Sequence, residues 1–412
     1  MEDSRRGETR YSYTPTGQLD RAEYPDGREQ WRKSDPVGNL YPDPDMKLRR
    51  YLGGGRLEQD GEWHCEYDAD GNLTERYLGT GRWLDGKKDR WRYRWNADGS
   101  LAKVVRPDKR EVEFTYDALG RRLSKSFGTT VTRWVWNGNV PLHQWKQHRE
   151  YSVVEDRWHT DTERRDMTVW LFDEESFVPV AMIKEGRSYS ILTDQLGTPT
   201  EAYDTEGNEV WSRVLDMDGN VIGETGNKGM VPFLFQGQYY DRETGLAYNR
   251  FRYYSPQMGM YVSQDPITIY GGLRFYGYVK NPNSWTDVLG LKGCYLKKAE
   301  EGAEYKYVLQ ISETEYPATA GHIKRAIDKG KPSVVTIDRD NAKSNRKKSL
   351  AGVKTEKGLD RDEWPMAMFK EGGTGADIEH ILPSDNRGAG ASIRAALSSC
   401  NNTDTIKIEI IK

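Results

Sequence analysis

The residues with the clearest chemical potential form an acidic cluster, Asp360-Arg361-Asp362-Glu363-Trp364-Pro365. Three carboxylates within four positions repel one another, so the cluster is costly unless a cation or basic side chains neutralise it. Carboxylate oxygens are ligands that suit Mg²⁺ or Mn²⁺. A bound cation of this kind can activate water and stabilise charge on a phosphodiester. Composition alone favours a solvated acidic loop over a metal site.

Two further polar stretches follow the acidic cluster. They are the glycine-rich Glu371-Gly372-Gly373-Thr374-Gly375 and the segment Ser384-Asp385-Asn386-Arg387-Gly388-Ala389-Gly390, which we expect to be a polar turn. Together with the acidic cluster they contain every residue type that phosphodiester hydrolysis requires: metal ligands, an activator of water and cations for the strand.

The elements that must position these residues are short and of both kinds. The pattern predicts a helix over His322–Lys329 that ends at Gly330, and a strand over Ser333–Ile337. It also predicts a helix over Ala391–Leu397 and a final strand over Thr405–Ile411. We therefore expect a small α+β domain in the last third of the chain.

The first two thirds of the chain follow a different pattern. An aromatic residue, Asp or Asn, two further residues and Gly recur, as in Tyr67-Asp68-Ala69-Asp70-Gly71, Tyr116-Asp117-Ala118-Leu119-Gly120 and Tyr203-Asp204-Thr205-Glu206-Gly207. Such turns join antiparallel strands, and aromatic residues pair across them. Repeats of this kind predict an extended, mainly β architecture.

Composition narrows the class of protein. The chain has 412 residues, 61 Lys and Arg against 64 Asp and Glu, and 3 cysteines without metal-ligand spacing. From residue 292 onward 21 basic residues face 18 acidic ones, a balance of +3, which leaves 40 against 46, or −6, before it. A basic module behind an acidic one is compatible with a nucleic-acid partner. No apolar stretch is long enough to span a membrane, and we expect no Sec signal at the N-terminus.

The sequence motifs of the C-terminal region resemble those of the NucA/NucB deoxyribonucleases. The resemblance runs in order from Tyr316-Pro317 through His322-Ile323, Thr336-Ile337-Asp338-Arg339, Ser349-Leu350, DRDEWPMAM at 360–368, Glu371-Gly372-Gly373 and DNRGAG at 385–390. It implies non-specific endonuclease activity on DNA with a divalent metal, Mg²⁺ or Mn²⁺.

The same resemblance suggests roles for particular residues. Asp362 falls on the catalytic aspartate of the family motif, where it would bind metal or activate water. Glu363 and Asn386 are the next candidates for the metal shell, and His322 is a candidate general acid or base. The candidates for binding substrate phosphates are Arg339, Arg387 and Arg346, the last of which lies in the basic run 343–348.

Each of these residues also has a purely structural interpretation. Glu363 could cap a turn, Arg339 could pair with Asp338, and His322 could be a satisfied helix histidine. Asn386 could serve its turn alone. The basic run could be a solvated helix face.

The first part of the chain resembles the C-terminal part of the core of Rhs (rearrangement hotspot) proteins. The resemblance is carried by the YD repeats and by a closing signature: GQYYDRETGL at 237–246, YNRFRYY at 248–254, Ser263-Gln264-Asp265-Pro266 and Asp287-Val288-Leu289-Gly290-Leu291. It implies a YD-repeat β shell fragment over residues 1–291, followed by a small α+β nuclease domain over residues 292–412.

The resemblance also implies that such cores cleave themselves after the final leucine, here Leu291. Val288 stands where the family usually has proline. Asp265 and Asp287 are the candidate aspartyl pair, one activating water and one protonating the leaving group. Their alternative role is to form turns.

Together these features predict a polymorphic interbacterial toxin whose C-terminal domain degrades the DNA of a target cell. Its expected partners are DNA, a cognate immunity protein and a component or chaperone of a secretion system. We expect type VI export into the cytoplasm of the target cell. Two alternatives stay open: an RNase toxin, and a carbohydrate- or surface-binding repeat protein with an inactive C-terminus.

Overall fold

The structure is a computed structural model, and it describes the chain except for residues 1, 4–6, 16, 80–85, 174–175, 267–273, 292–293, 301, 314–315, 398–399 and 412. The chain divides into two compact units. The first comprises residues 1–264 and 276–290, and the second comprises residues 265–275 and 291–412. The predicted domain boundary at 291/292 stays a prediction, and the grouping of 265–275 with the second unit was not anticipated.

The first unit consists of antiparallel β-strands. Its described strands are β1 (Glu2–Asp3), β2 (Gly7–Glu8), β3 (Arg10–Tyr13), β4 (Leu19–Glu23), β5 (Glu29–Trp31), β6 (Lys33–Ser34), β7 (Leu40–Tyr41), β8 (Arg49–Leu52), β9 (Arg56–Asp60), β10 (Trp63–Tyr67), β11 (Leu73–Leu78), β12 (Lys88–Trp95), β13 (Leu101–Val105), β14 (Glu111–Tyr116), β15 (Arg122–Phe127), β16 (Thr130–Asn137), β17 (Val140–Ser152), β18 (Arg157–Thr160), β19 (Arg165–Phe172), β20 (Pro179–Lys184), β21 (Arg187–Thr193), β22 (Pro199–Tyr203), β23 (Glu209–Leu215), β24 (Val221–Gly226), β25 (Tyr239–Asp241), β26 (Leu246–Asn249), β27 (Arg252–Ser255) and β28 (Met260–Tyr261).

Strands β8 to β24 belong to one large sheet in which most strands pair with their neighbours in the chain. The long strand β17 is shared: its first half pairs with β19, and its second half forms a hairpin with β18. Strands β25 to β28 form a second, four-stranded sheet. This mainly β unit confirms the predicted YD-repeat shell fragment.

The YD motif builds the turns of the large sheet. In the first copy the backbone N–H of Asn72 donates to Asp68 Oδ1 at 2.8 Å, and Gly71 adopts a φ of 79°, which favours glycine. Asp117, Asp204 and Asp216 accept the same backbone hydrogen bond from the residue four positions later. Because each aspartate satisfies the turn that follows it, the repeat encodes a series of hairpins.

Buried charge ties the closing signature to the repeats. Asp241 is fully buried and accepts hydrogen bonds from Arg122 at 2.5 Å and from Lys125 at 2.9 Å. Since a buried charge is costly unless it is paired, this cluster fixes β25 against β15.

The second unit is a small α+β fold. Its strands are β29 (Cys294–Lys298), β30 (Tyr307–Ser312), β31 (Val334–Thr336), β32 (Asp360–Trp364), β33 (Asp377–Ile381) and β34 (Thr405–Ile411), and its helices are α1 (Pro317–Asp328), α2 (Ala342–Ser349) and α3 (Pro383–Ala396). The sheet order is β29-β30-β34-β31, with β30 and β34 parallel, while β32 and β33 form a separate hairpin. The core includes Tyr316, Ile323, Trp364, Phe369 and Ile393.

The predicted elements of the second unit are largely present, with two corrections. The segment 384–390 is not a turn but part of α3, which begins at Pro383, a residue that favours the first helical position. The acidic cluster is not a solvated loop, because Asp360–Trp364 is strand β32 and Asp362 and Glu363 are buried. The final strand has the predicted bounds.

Candidate active site

The candidate site is built on the β32–β33 hairpin. Asp362 lies directly opposite Glu379, and Trp364 lies opposite Asp377. Residues opposite each other in an antiparallel pair project to the same face, and so do alternate residues of one strand. One face of the hairpin therefore carries four carboxylates, those of Asp360, Asp362, Asp377 and Glu379. Glu363 projects to the other face.

Helix α1 contributes a histidine to this site. His322 and Asp362 are both buried, and His322 Nδ1 lies 2.6 Å from Asp362 Oδ2. His322 Nε2 lies 3.7 Å from Asp377 Oδ1, and among the described residues this buried nitrogen has no hydrogen-bond partner. An Nδ1–H that donates to Asp362 leaves the lone pair on Nε2, where it can accept a proton or bind a cation.

Two basic side chains of the same helix pair with the carboxylates. Arg325 donates to both oxygens of Glu379, at 3.0 and 2.6 Å, and Lys329 donates to Asp377 at 2.8 Å. Positions 322, 325 and 329 share one helix face, so α1 presents the histidine and both cations together. The hydrogen bond from Arg325 lowers the pKa of Glu379, and that from Lys329 lowers the pKa of Asp377.

The environment of Asp362 acts on its pKa in the opposite direction. Burial raises the pKa of this carboxyl, although the hydrogen bond and charge of His322 work against the shift. The charge of Asp385 raises the pKa further. Perturbed groups of this kind concentrate at functional sites, which favours this face of the hairpin as the chemical centre.

The residues present fit a divalent metal. One donor atom each from His322, Asp377 and Glu379 lie within 4.8 Å of one another. The carboxylate oxygens of Asp377 and Glu379 suit Mg²⁺ or Mn²⁺. The buried Nε2 beside them has one lone pair, which can complete the donor set or take a proton, but cannot do both at once.

Helix α3 contributes to the site from its first turn. Asp385 accepts hydrogen bonds from the backbone N–H groups of Ala318 and Thr319 at 2.9 and 2.8 Å, and so caps the start of α1. Arg387 donates to both oxygens of Asp360 at 2.6 and 2.8 Å. The hydrogen bond from Arg387 is the largest cause of the lowered pKa of Asp360, and a hydrogen bond from Asn386 lowers it further.

Several predicted residues lie away from the His322–Asp362 pair. Glu363 accepts hydrogen bonds from Arg346 at 3.1 Å, from the Ser349 hydroxyl and from the backbone of Ala367. Its contacts make it an anchor for α2 on the opposite face of β32. The roles predicted for Glu363 and Arg346 stay predictions.

Arg339 and Asn386 have evident structural contacts. Arg339 donates to the carbonyls of Leu397 and Cys400, beyond the end of α3. Asn386 reaches Asp360 rather than the His322–Asp362 pair. The structure therefore brings together His322 and Asp362 from the predicted set, and its other members are distributed around them.

Sequence reasoning missed Asp377 and Glu379. The available signal was the alternation of polar and apolar residues in Asp377-Ile378-Glu379-His380-Ile381, which is typical of a half-buried strand and places both acids on one face. Their approach to His322 depends on the register of the hairpin.

The candidate autoproteolysis residues are both buried. Asp287 Oδ2 accepts a hydrogen bond from the Tyr261 hydroxyl at 2.8 Å and pairs with Arg252 at 3.2 Å. Arg252 also donates to the carbonyl of Gly290 at 2.5 Å. Asp265 belongs to the second unit and Asp287 to the first, and Leu291 begins the main segment of the second. The proposed pairing of the two aspartates stays a prediction.

These features define a class of protein, a YD-repeat shell of the Rhs kind joined to a small α+β unit. The chain belongs to the Teneurin YD-shell family, whose sequence model matches residues 1–273. This match and the relatives described next together confirm the predicted relationship to Rhs proteins. Among the described residues, no helix has the length and apolar character needed to cross a membrane.

Three relatives extend the comparison. The chain is 33% identical over 315 residues to the double-stranded DNA deaminase toxin A of Burkholderia cenocepacia, which covers 71% of this chain and 21% of the relative. It is 27% identical over 354 residues to the probable deoxyribonuclease RhsB of Dickeya dadantii, covering 81% and 22%. It is 53% identical over 95 residues to the DNA-entry nuclease of Bacillus subtilis, covering 23% and 65%. The chain thus spans about a fifth of the length of the first two relatives.

Proposed function

We propose that the second unit is a divalent-metal-dependent endonuclease that cuts DNA, and that the whole protein is an interbacterial toxin. The observation that carries the proposal is the buried His322–Asp362 pair, whose Nε2 nitrogen lies beside Asp377 and Glu379 without a hydrogen-bond partner among the described residues. The similarity to the DNA-entry nuclease and to RhsB supports DNA as the substrate.

In the proposed reaction, His322 and Asp362 activate the water, and Asp377 and Glu379 bind the metal. Asp362 accepts the Nδ1–H of His322, which fixes the ring and its tautomer. His322 Nε2 then takes the proton from the attacking water as general base. Asp377 and Glu379 would hold the divalent cation, which supplies charge stabilisation at the phosphate when bound. Asp362 thus acts on the water through His322.

Arg387 is the best placed of the predicted phosphate-binding residues. Asp360, its partner, lies two residues before Asp362 and on the same strand face, which puts the two positions about 6.6 Å apart along the strand. A guanidinium with half of its side chain exposed can exchange that carboxylate for a phosphate of the same bidentate geometry.

The toxin context rests on the family and its relatives. A YD-repeat shell, the similarity to a deaminase toxin and the nuclease-like unit together support delivery into a competing cell. We propose that an immunity protein protects the producing cell and that type VI secretion exports the protein.

The decisive experiment is incubation of the purified full-length chain with supercoiled plasmid and Mg²⁺ or Mn²⁺. We expect nicked and then degraded DNA, and no cutting in EDTA. Cutting that is undiminished in EDTA would remove the metal from the mechanism. A parallel incubation with single-stranded RNA separates the DNase from the RNase alternative, since preferred cleavage of RNA would favour the latter.

A toxicity test addresses the second half of the proposal. Expression of the full-length chain in a bacterial cytoplasm without a partner should degrade the nucleoid and stop growth. Normal colonies that contain soluble, unmutated protein would instead favour a surface-binding repeat protein.

A further inference from the structure

Helix α1 carries two basic side chains beside the candidate metal site that have no role in the proposed function. Arg325 donates hydrogen bonds to both oxygens of Glu379, and Lys329 donates one to Asp377. Both carboxylates belong to the group that could hold a metal. In the structure, therefore, the candidate metal ligands already have positive partners.

The Arg325 and Lys329 side chains can separate from the two carboxylates at little cost. The Arg325 and Lys329 side chains are 54% and 55% exposed, whereas those of Glu379 and Asp377 are 25% and 15% exposed. An exposed ion pair contributes little stability, so exchanging its cation costs little. The carboxylates stay in the site while the long basic side chains can swing into solvent.

A divalent ion competes for the same oxygens. The fork of Arg325 engages both oxygens of Glu379 side by side, which is the geometry in which a carboxylate also grips a metal. With Asp377 and Glu379 at −2 and Arg325 and Lys329 at +2, the four groups sum to zero. Removing one of the basic charges leaves −1 and strengthens the attraction for a divalent ion.

We propose that Arg325 and Lys329 are exchangeable cations that rest on the metal-binding carboxylates and move to the phosphates of the substrate once a divalent ion binds. The inference rests on the proposed function, since it assumes that the carboxylates hold a metal and that the substrate carries phosphates. Metal binding thereby completes the substrate site, and the binding of metal and of DNA reinforce each other.

The first test measures metal affinity directly, by titration calorimetry of Mn²⁺ into the full-length chain. Arg325→Gln should bind Mn²⁺ on the order of tenfold more tightly than the unsubstituted chain, because one competing charge is gone. Arg325→Lys keeps the charge and should bind close to the unsubstituted level. Weaker Mn²⁺ binding in Arg325→Gln would mean that Arg325 supports Glu379 as a metal ligand, and unchanged binding would mean that Arg325 does not affect the metal site. Either result overturns the proposed cation exchange.

Lys324 provides a matched control. It is exposed on α1, about 200° around the helix axis from His322, and belongs to none of the ion pairs found among the described residues. Lys324→Gln removes the same charge from the same helix and should leave Mn²⁺ affinity nearly unchanged. An equal gain in Lys324→Gln would reduce the effect to net charge and overturn the specific exchange.

The second test measures whether Arg325 contacts a DNA phosphate when the metal is bound. With Asp362→Asn in every chain to prevent cutting, the affinity for a short duplex is measured against salt concentration, with Mn²⁺ and with EDTA. Arg325→Gln should reduce the slope of log affinity against log salt by about 0.9 in Mn²⁺, the loss of one phosphate contact, and leave it unchanged in EDTA. The same change in both conditions, or in neither, contradicts a metal-driven exchange.

The cation exchange and the proposed nuclease function can be disproved separately. If the unsubstituted chain binds Mn²⁺ and cuts DNA while Arg325→Gln behaves like Lys324→Gln, the exchange is wrong and the proposed nuclease stands. If the unsubstituted chain neither binds Mn²⁺ nor needs it for cutting, the metal-dependent mechanism is wrong, and the exchange falls with it.

Discussion

At the scale of single residues, the site depends on how one buried carboxylate controls one imidazole. Asp362 lies behind His322, at Nδ1, while Nε2 faces the other carboxylates. This arrangement explains why Asp362 is indispensable to the proposed chemistry without necessarily touching the substrate. It acts by holding the ring and by stabilising the imidazolium that forms when Nε2 accepts a proton.

Replacing Asp362 therefore has a specific expected result. Asp362→Asn or Asp362→Ala should lower the rate of plasmid nicking on the order of 100-fold or more, because the tautomer and orientation of His322 are no longer fixed. Circular dichroism should show an intact fold. Asp328→Asn, which removes an exposed carboxylate of the same α1 helix, should cut normally. A fully active Asp362→Ala protein would place the site elsewhere.

At the scale of elements, the hairpin and two helices create the site by their relative placement. The sequence predicted α1 and the carboxylate cluster because helix periodicity and motif wording are local. It did not predict that Glu363 and Asp362 project to opposite faces, because residues 360–364 were not assigned to a strand and their side chains could not be assigned to faces. It missed Asp377 and Glu379 because their role depends on the pairing of β33 with β32, which is a non-local contact.

The mistake about α3 has a similar cause. Glycines at 388 and 390 and the polar residues before them favour a turn when they are judged locally. The helix forms nevertheless, because Ala389, Ile393 and Leu397 follow helical spacing and pack into the core. Tertiary burial outweighs the low helix propensity of glycine.

The contact between α3 and α1 supports a prediction at this scale. Asp385→Ala removes the two hydrogen bonds that cap α1, and should lower the free energy of unfolding of the second unit by about 1 kcal/mol. It should also slow cutting, since α1 carries His322. Asp385→Asn keeps one acceptor oxygen and should lie between Asp385→Ala and the unsubstituted chain. Chemical denaturation and the nicking assay measure the two effects, and an Asp385→Ala protein equal to the unsubstituted chain in both would show that the cap is dispensable.

The turn between β23 and β24 supports a prediction about pH. Burial, together with the charge of Asp218, raises the pKa of Asp216 to about 6. An unfolded aspartate titrates near 3.9, so the folded chain holds this proton more tightly and loses stability as the pH rises from about 4 to 6. The free energy of unfolding of the unsubstituted chain, minus that of Asp216→Asn at the same pH, should fall by about 2 kcal/mol between pH 4 and pH 7.

Urea unfolding of the first unit at several pH values measures this difference. Asn96, which begins the equivalent turn of another repeat, shows that asparagine is accepted at this position of the motif. Asp204→Asn, in the equivalent turn of another repeat, is the control. The hydrogen bond from Asn208 lowers the pKa of Asp204, so the change in stability with pH should run the opposite way. A difference between Asp216→Asn and the unsubstituted chain that is independent of pH would contradict the assigned burial.

At the scale of the whole molecule, the two units have different kinds of sequence signal. The YD repeats are periodic, and each aspartate bonds within its own turn, so the β architecture could be predicted from local wording. The closing signature is harder to predict in detail, because Asp241 and Asp287 are fixed by Arg122 and Arg252, which lie far from them in the chain. Pairing of such buried charges is set by the assembled fold.

The last prediction concerns the covalent continuity of the chain. We expect cleavage between Leu291 and Lys292, which would release a fragment of about 120 residues, because Asp287-Val288-Leu289-Gly290-Leu291 resembles the cleavage site of Rhs cores. The structure adds that the segment before the bond is held in place: Arg252 contacts both Asp287 and the Gly290 carbonyl, and Tyr261 donates to Asp287. Lys292 itself lies outside the described residues.

Because aspartyl chemistry needs a folded arrangement with one protonated and one ionised carboxyl, cleavage should depend on folding. Asp287→Asn and Asp265→Asn should each leave the chain whole, while Asp241→Asn tests whether any loss of buried charge has the same effect. Intact-mass spectrometry decides the question, since the uncleaved chain has a mass of 47.4 kDa. A single species at that mass in the unsubstituted, folded protein would show that this chain does not cut itself. Cleavage that persists in both Asp287→Asn and Asp265→Asn would instead exclude the aspartyl pair as its cause.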